Sequence, residues 1–180
     1  MPKDTTLERL YELAEGQDGY FSMPQALKAG IDGNAVVKAA HRGRVERISQ
    51  GVYRLGRFPV LSERTHLWES VLWPQARDRV PAALSHETAL TIHGLSDANP
   101  AQVHITVPKA FRLRREVPSW LTIHRANVDD DQREYVDGLP VTTVERTLRD
   151  IAVTAPSLLH DAIDDAKRKG YTVPPDLTDA

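Results

Sequence analysis

The chain has 180 residues, of which 41% are hydrophobic and 27% charged, and its formal net charge is −2 at pH 7. No apolar run is long enough to cross a bilayer and no signal-peptide pattern opens the chain, so we expect a cytoplasmic protein with no membrane partner. The absence of cysteine excludes disulfides, thiolate metal sites and thiol nucleophiles. The length fits one or two domains.

The first predicted elements are short helices. Leucine and alanine recur at helical spacing over residues 5–15, which predicts a first helix. After a short strand at residues 20–21, Ser22 is placed to cap a second helix, with Leu27 and Ala29 among its inward positions.

A third helix follows the turn at Gly30 and is expected to be capped by Asp32. Its inward stripe is Val36, Ala39 and Ala40, which leaves an outward face of Asn34, Val37, Lys38 and His41. Asparagine can bind adenine, valine can touch a thymine methyl, and lysine can reach guanine or phosphate. The outward face therefore has the chemistry needed to contact base edges.

Two β-like runs come next, at residues 44–48 and 52–55, and Gly51 supplies the positive φ that a tight hairpin requires. Helix, turn, helix and hairpin in this order predict a winged helix-turn-helix, a fold that places one helix in the DNA major groove. Arg47 and Gln50 are the expected contacts from the hairpin.

Positive charge is concentrated in this part of the chain. Residues 34–57 contain six Lys or Arg and one acid, Glu46, whereas residues 59–180 contain 14 basic and 18 acidic residues. Phosphate neutralisation would explain the concentration, and a solvated helix face is the alternative. The operator sequence and the oligomeric state stay open. The predicted DNA contacts are Asn34, Lys38, His41, Arg42, Arg44, Arg47 and Gln50.

A linker is predicted at residues 57–59, which divides the chain into a winged helix-turn-helix domain over 1–57 and a second domain over 59–180. Ser62 is expected to begin a helix. Strands are predicted at 82–84, 103–107, 121–125 and 139–141, and helices at 86–93, after Thr142 and after Ser157. Because no regular βαβ repeat appears, we expect an α+β protein whose second domain is a small mixed α/β domain.

Three stretches of the second domain carry a family resemblance. They read ALSHETALTIHGL at 83–95, VHITVP at 103–108 and DGLPVTTVERTLRD at 137–150, and the first domain ends with GVYRL at 51–55. In this order the stretches resemble the AbiEi family of antitoxins, including the winged-helix domain at the start of that family.

The resemblance implies a bacterial toxin-antitoxin system of type IV. The N-terminal domain would bind inverted repeats in its own promoter as an autorepressor, and the second domain would counteract a nucleotidyltransferase-type toxin. Direct contact with the toxin, and the toxin's identity, stay open. The alternatives are a winged-helix regulator of other genes and a protein-interaction module.

Several motifs of the second domain also have structural interpretations. Ser85 and Gly94 are placed to begin and end a helix, and residues 142–145 form a capping-box pattern. Arg146 and Asp150 are one helical turn apart and can pair, although Arg146 could instead join Lys109 and Arg149 in a second basic surface. The pair Pro174–Pro175 cannot extend a helix.

Enzymatic interpretations are weaker. Ser85 next to His86 lacks the nucleophile elbow of a hydrolase, and Asp165-Ala-Lys167, which suggests half of a nuclease site, falls on the solvated face of a predicted helix. A nuclease-related protein without a complete catalytic domain is therefore a minor alternative. A zinc site is conceivable but lacks paired-ligand spacing, so no metal, cofactor or catalytic residue is predicted. Its histidines would be His86, His93, His104 and His124.

Overall fold

The computed structural model describes residues 5–60, 63–78, 81–95, 97 and 100–178, without the side chains of residues 77 and 78. The chain forms two compact units, an N-terminal unit over Met1–Pro81 and a C-terminal unit over Ala82–Ala180. Within the described residues, every helix is too short or too polar to cross a membrane.

In its described residues, the N-terminal unit has four α-helices and a three-stranded antiparallel sheet with the strand order β1-β3-β2. In chain order its elements are α1 (Thr5–Ala14), β1 (Tyr20–Ser22), α2 (Met23–Lys28), α3 (Gly33–His41), β2 (Val45–Ser49), β3 (Val52–Leu55) and α4 (Leu67–Asp78). The elements α1 to β3 form the predicted winged helix-turn-helix. Ser62, where the next helix was predicted to begin, lies outside the described residues.

Side-chain caps fix the starts of α2 and α3. The Ser22 hydroxyl accepts a hydrogen bond from the Gln25 amide, and the Gln25 side chain accepts one from the Ser22 amide. At α3 the Asp32 carboxylate accepts from the Asn34 amide at 2.9 Å. These bonds satisfy amides that a helix start leaves without partners, which confirms both predicted caps.

The core of this unit is built on Phe21, whose ring stacks on Tyr53 with centroids 5.6 Å apart. Of the predicted inward positions on α2, Leu27 is 46% exposed and Ala29 is exposed, so both expectations were wrong. The reason is the length of α2, which has only six residues. So short a helix buries one residue, Ala26, against the core.

Helix α4 packs against the sheet of the N-terminal unit and against α2. Its buried side chains include Trp68, Leu72 and Trp73. The division between the two units falls after Pro81. The boundary predicted at residues 57–59 therefore does not coincide with it, because α4 buries its apolar face on the first unit.

The C-terminal unit is a five-stranded mixed sheet with helices. The strand order is β6-β5-β4-β8-β7, in which β5/β6 and β4/β8 are parallel pairs and the others antiparallel. Its elements are β4 (Ala83–Leu84), α5 (His86–His93), β5 (Val103–Val107), β6 (Leu121–Arg125), β7 (Arg133–Val136), β8 (Leu139–Thr142), α6 (Val144–Thr154) and α7 (Leu159–Arg168). The α+β fold class is confirmed.

Strand β7 was not predicted. It lies at a sheet edge and exposes Glu134 and Tyr135, so it lacks the alternation of a half-buried strand. The turn that joins it to β8 has positive φ at both central residues, Asp137 (52°) and Gly138 (80°). An Asp-Gly pair is a strong hairpin signal, and it would have located this strand.

The capping prediction at residues 142–145 was wrong by one residue. Thr143 caps α6 and accepts a hydrogen bond from the Arg146 amide. Thr142 is the last residue of β8 and is fully buried, with its hydroxyl 2.8 Å from that of Thr147. The side chain of Glu145 pairs with Arg149 instead of returning to a cap amide.

Candidate nucleic-acid interface

Helix α3 presents the outward face that its periodicity predicted. Val36 is fully buried and anchors the helix, whereas Val37 is 42% exposed. Every one of the predicted contact residues is exposed, namely Asn34, Lys38, His41, Arg42, Arg44, Arg47 and Gln50. Exposure makes these side chains available to a ligand, and their role as DNA contacts stays a prediction.

A groove runs between α3 and the hairpin, and we call it the hairpin cleft. It brings His41 and Arg47 together with Val37 and also contains the acid Glu46. The strand β2 has an irregularity between Arg47 and Ser49, which interrupts its pairing with β3. The lining residues are Val37, Ala40, His41, Gly43, Val45, Glu46, Arg47, Tyr53 and Gly56.

On the other side of α3 lies a concave basic surface beside α1, which we call the α1 cleft. It consists of two adjoining depressions that share Leu7, Arg42 and Arg44. One depression adds Lys38, and the other adds Tyr11 and Arg57. Three of the predicted cations thus gather on this side, away from the hairpin. The lining residues are Thr6, Leu7, Tyr11, Ala35, Lys38, Ala39, Arg42, Gly43, Arg44 and Arg57.

Asn34 and Gln50 are in neither cleft. Asn34 lies in the first turn of α3, and Gln50 lies in the hairpin turn. That turn is anchored, because the Gly51 carbonyl accepts from the Met23 amide and Gly51 lies against Ala76 of α4. The hairpin is therefore a short wing held on the body of the unit.

Two cleft residues, Tyr11 and Arg57, were not among the predicted contacts. Arg57 had been assigned to a linker, but the backbone on both sides of it is fixed. The Gly56 amide donates to the Arg44 carbonyl, and the Phe58 amide donates to Leu55. In the sequence, Arg57 was included only in the count of Lys and Arg residues over 34–57.

Arg54, another of the six basic residues, has a structural role. Its guanidinium donates to the carbonyls of Phe58 and Pro59 and lies 5.5 Å from the centre of the Tyr20 ring. Burial raises the pKa of the Tyr20 hydroxyl, and the Arg54 charge opposes that rise. Arg54 is therefore engaged within the fold, and the other five basic residues of 34–57 line the two clefts.

Two family models match the chain. Residues 8–56 match a model described as a transcriptional regulator, AbiEi antitoxin, and residues 71–166 match the AbiEi antitoxin C-terminal domain. The chain belongs to the AbiEi antitoxin family. The first match covers most of α1 and extends through β3, so it contains the whole hairpin cleft and all of the α1 cleft except Thr6, Leu7 and Arg57. No curated protein matches the chain.

The C-terminal unit of this AbiEi family member contains a cluster of three histidines. His104 Nδ1 lies 3.0 Å from His124 Nε2 and 3.0 Å from the Glu87 carboxylate, and His86 stacks on His124. His93 is not part of the cluster, since its Nε2 donates to the Thr142 carbonyl. Among the residues that the structure describes, no three His, Asp or Glu side chains are arranged to hold a metal ion.

The polar residues that suggested catalysis have structural partners. Ser85 is fully buried at the start of α5 without capping it, because its hydroxyl accepts from Thr106 and lies 2.9 Å from His86 Nδ1. Asp165 pairs with Arg168 on α7. Gly94 ends α5 in the left-handed conformation, as predicted.

Arg146 and Arg149 do not combine into a basic surface. Arg146 is 11% exposed and bonds to Asp150, as predicted, as well as to the Gln132 side chain. Arg149 is more exposed and pairs with Asp176 and Glu145. Both guanidinium groups are therefore neutralised by carboxylates of the same unit.

Proposed function

We propose that this AbiEi family member is an autorepressing antitoxin, which binds its own promoter through α3 and counteracts a nucleotidyltransferase-type toxin. The observation that carries the DNA-binding part is the exposed face of α3 between two clefts that contain cations. A recognition helix needs this arrangement, because base edges lie in front of it and phosphates on both sides.

In this proposal the roles of the side chains follow from their chemistry. Asn34 and Val37 are suited to base edges, the first by two hydrogen bonds to adenine and the second by contact with a thymine methyl. Lys38, Arg42 and Arg47 are suited to phosphates or guanine. Most of the affinity would come from phosphate contacts, so binding should weaken steeply as salt increases.

Binding is tested with a duplex from upstream of the protein's own gene. We expect salt-dependent binding by the wild type and weaker binding by Lys38→Ala and Arg42→Ala. Lys167→Ala, which removes an exposed lysine of α7, is the matched control and should bind like the wild type. If the wild type shows no salt-sensitive affinity for this duplex, the autorepressor proposal is wrong.

The antitoxin part is tested by co-expressing the full chain with the neighbouring gene. We expect that gene to arrest growth and the wild-type chain to restore it. The Lys38→Ala and Arg42→Ala variants should also restore growth, since we assign antitoxicity to the C-terminal unit. A neighbouring gene without toxicity, or toxicity that the full chain leaves unchanged, would contradict the proposal.

We also propose that the protein acts without catalysis. The support is that Ser85 and Asp165, the residues that suggested a hydrolase or a nuclease, are bonded within the fold. The test is incubation of the purified chain with its operator duplex and Mg²⁺, after which we expect the DNA to be intact.

A further inference from the structure

The α1 cleft has a feature that the hairpin cleft lacks. Among the described residues that line it, none is acidic, and Lys38, Arg42 and Arg57 are all exposed. The hairpin cleft, in contrast, includes Glu46. The α1 cleft is therefore the more strongly basic of the two surfaces beside α3.

A second feature of the α1 cleft concerns the guanidinium groups of Arg42 and Arg57. Within the described part of the chain neither makes a hydrogen bond or ion pair. Arg133, Arg146 and Arg168, in contrast, each pair with a carboxylate. The guanidinium groups of Arg42 and Arg57 are therefore both available to an anionic ligand.

The position of Arg57 is set by the fold rather than by a mobile linker. Besides the hydrogen bonds on both sides of it, the neighbouring ring of Phe58 lies 6.2 Å from that of Tyr11 on α1. Tyr11 is 39% exposed and lines the same depression as Arg42 and Arg57. The cleft thus combines two unpaired guanidinium groups, one of them on a backbone held on both sides, with a phenol close by, which suits an oxyanion with several acceptor oxygens.

The location of the cleft indicates which oxyanion it takes. Gly43 lines both clefts, so the α1 cleft and the hairpin cleft lie on the two sides of the C-terminal end of α3. A helix in the major groove has one phosphodiester strand on each side. If the hairpin cleft faces one strand, the α1 cleft faces the other.

We propose that Arg57 and Arg42, with Tyr11, bind a backbone phosphate of the operator strand opposite to the strand that Arg47 contacts. This inference rests on the proposed DNA-binding function and adds Arg57 and Tyr11 to the interface. The cleft then fixes the tilt of α3 in the groove, since the helix is held from both sides.

The first test measures how salt affects binding of the full-length protein to the own-promoter duplex. Arg57→Gln should weaken binding about fivefold, the effect of one lost charge-assisted contact, and should reduce the log–log salt slope by about 0.9. The loss should be equal for operator and scrambled duplexes, because a phosphate contact carries no sequence information. Arg168→Gln removes the same charge from α7 and should change neither quantity.

The second test identifies the strand. Single phosphates of the duplex are replaced by neutral methylphosphonates, and each duplex is measured with wild type, Arg57→Gln and Arg47→Gln. On the duplex that lacks the charge of one particular phosphate, we expect Arg57→Gln to cause no further loss of affinity. On a duplex with a replacement on the opposite strand, we expect Arg47→Gln to cause no further loss. Coupling of both arginines to the same strand overturns the inference.

The remaining outcomes separate this inference from the proposed function. The wild type could bind with a normal salt slope while Arg57→Gln changes neither the affinity nor the melting temperature. That result would leave the DNA-binding proposal intact and would overturn the inference. Absence of wild-type binding overturns both. Tripolyphosphate serves as a free-anion probe. If it raises the melting temperature of the wild type but not of Arg57→Gln, and if both proteins bind DNA equally well, the cleft binds a free anion and the inference is wrong.

Discussion

The imidazole ring of His86 stacks on that of His124, with the centroids 3.5 Å apart and the planes 12° from parallel. Burial, followed by the proximity of His124, His104 and Arg146, lowers the pKa of His86 from 6.5 to about 3. Burial also lowers the pKa values of His104 and His124, although Glu87 opposes both shifts. The three rings are therefore packed in their neutral form at pH 7.

The first prediction is that the C-terminal unit is destabilised by acid. Because the folded-state pKa values lie below the unfolded value of 6.5, the unfolded chain takes up protons first as the pH falls. Stability is complete above about pH 6.5 and is lost as the pH falls toward 3. From His86 alone we expect a loss of about 2–3 kcal/mol at pH 4.5, measured by hydrogen exchange over residues 82–178.

The control for this prediction is a pair of aromatic substitutions. His86→Phe keeps a ring on His124 but cannot be protonated, so its stability should depend less on pH between 6.5 and 4.5. His160→Phe replaces a histidine whose side chain is 86% exposed, and its pH dependence should match that of the wild type. An unchanged pH dependence in His86→Phe would exclude His86 as a source of the acid sensitivity.

The histidine cluster could not be predicted from the sequence. Its members belong to α5, β5 and β6, and only the pairing of β5 with β6 brings His104 beside His124. Spacing along the chain contains no such information. The outward face of α3, in contrast, depends on helical periodicity and on one cap at Asp32, both of which are local, and it was predicted correctly.

The error at residues 142–145 has a similar cause. The sequence offers two adjacent threonines as caps, and either would begin a helix. Tertiary contacts decide which of them caps the helix, because Thr142 belongs to the sheet and its hydroxyl donates to the Leu84 carbonyl. Strand β8 therefore continues through Thr142, and the cap falls on Thr143.

The second prediction concerns the pair of Arg146 and Asp150, whose side chains are 11% and 14% exposed. Burial raises the pKa of Asp150, and the Arg146 guanidinium opposes the rise. Arg146→Ala would leave a buried carboxylate without its counter-charge, so we expect the free energy of unfolding to fall by about 2–4 kcal/mol. Arg149→Ala removes an exposed arginine that also pairs with carboxylates, and it should change urea unfolding far less.

The third prediction concerns the cap of α3. Asp32→Ala removes the acceptor of the Asn34 amide and should lower the stability of the N-terminal unit by about 1 kcal/mol. Asp32→Asn keeps a side-chain oxygen, so this variant should retain most of the stability that the cap contributes. Because Asn34 begins the proposed contact face, operator affinity should follow the same order. Equal melting temperatures for the two variants would contradict the role of the cap.

The last prediction concerns the hairpin turn. Gly51 has φ of +82°, and a Cβ added there would lie 2.9 Å from the Ala76 Cβ and 3.1 Å from the Ala76 carbonyl oxygen. Gly51→Ala therefore combines an unfavourable backbone conformation with a clash against α4, and we expect a loss of about 2–3 kcal/mol. Gly43→Ala is the matched control, since its φ is +66° but no atom lies within 4 Å of the added Cβ, so only the backbone cost of about 1 kcal/mol remains. Urea unfolding of both variants measures the difference, and equal losses would show that the hairpin turn does not pack against α4.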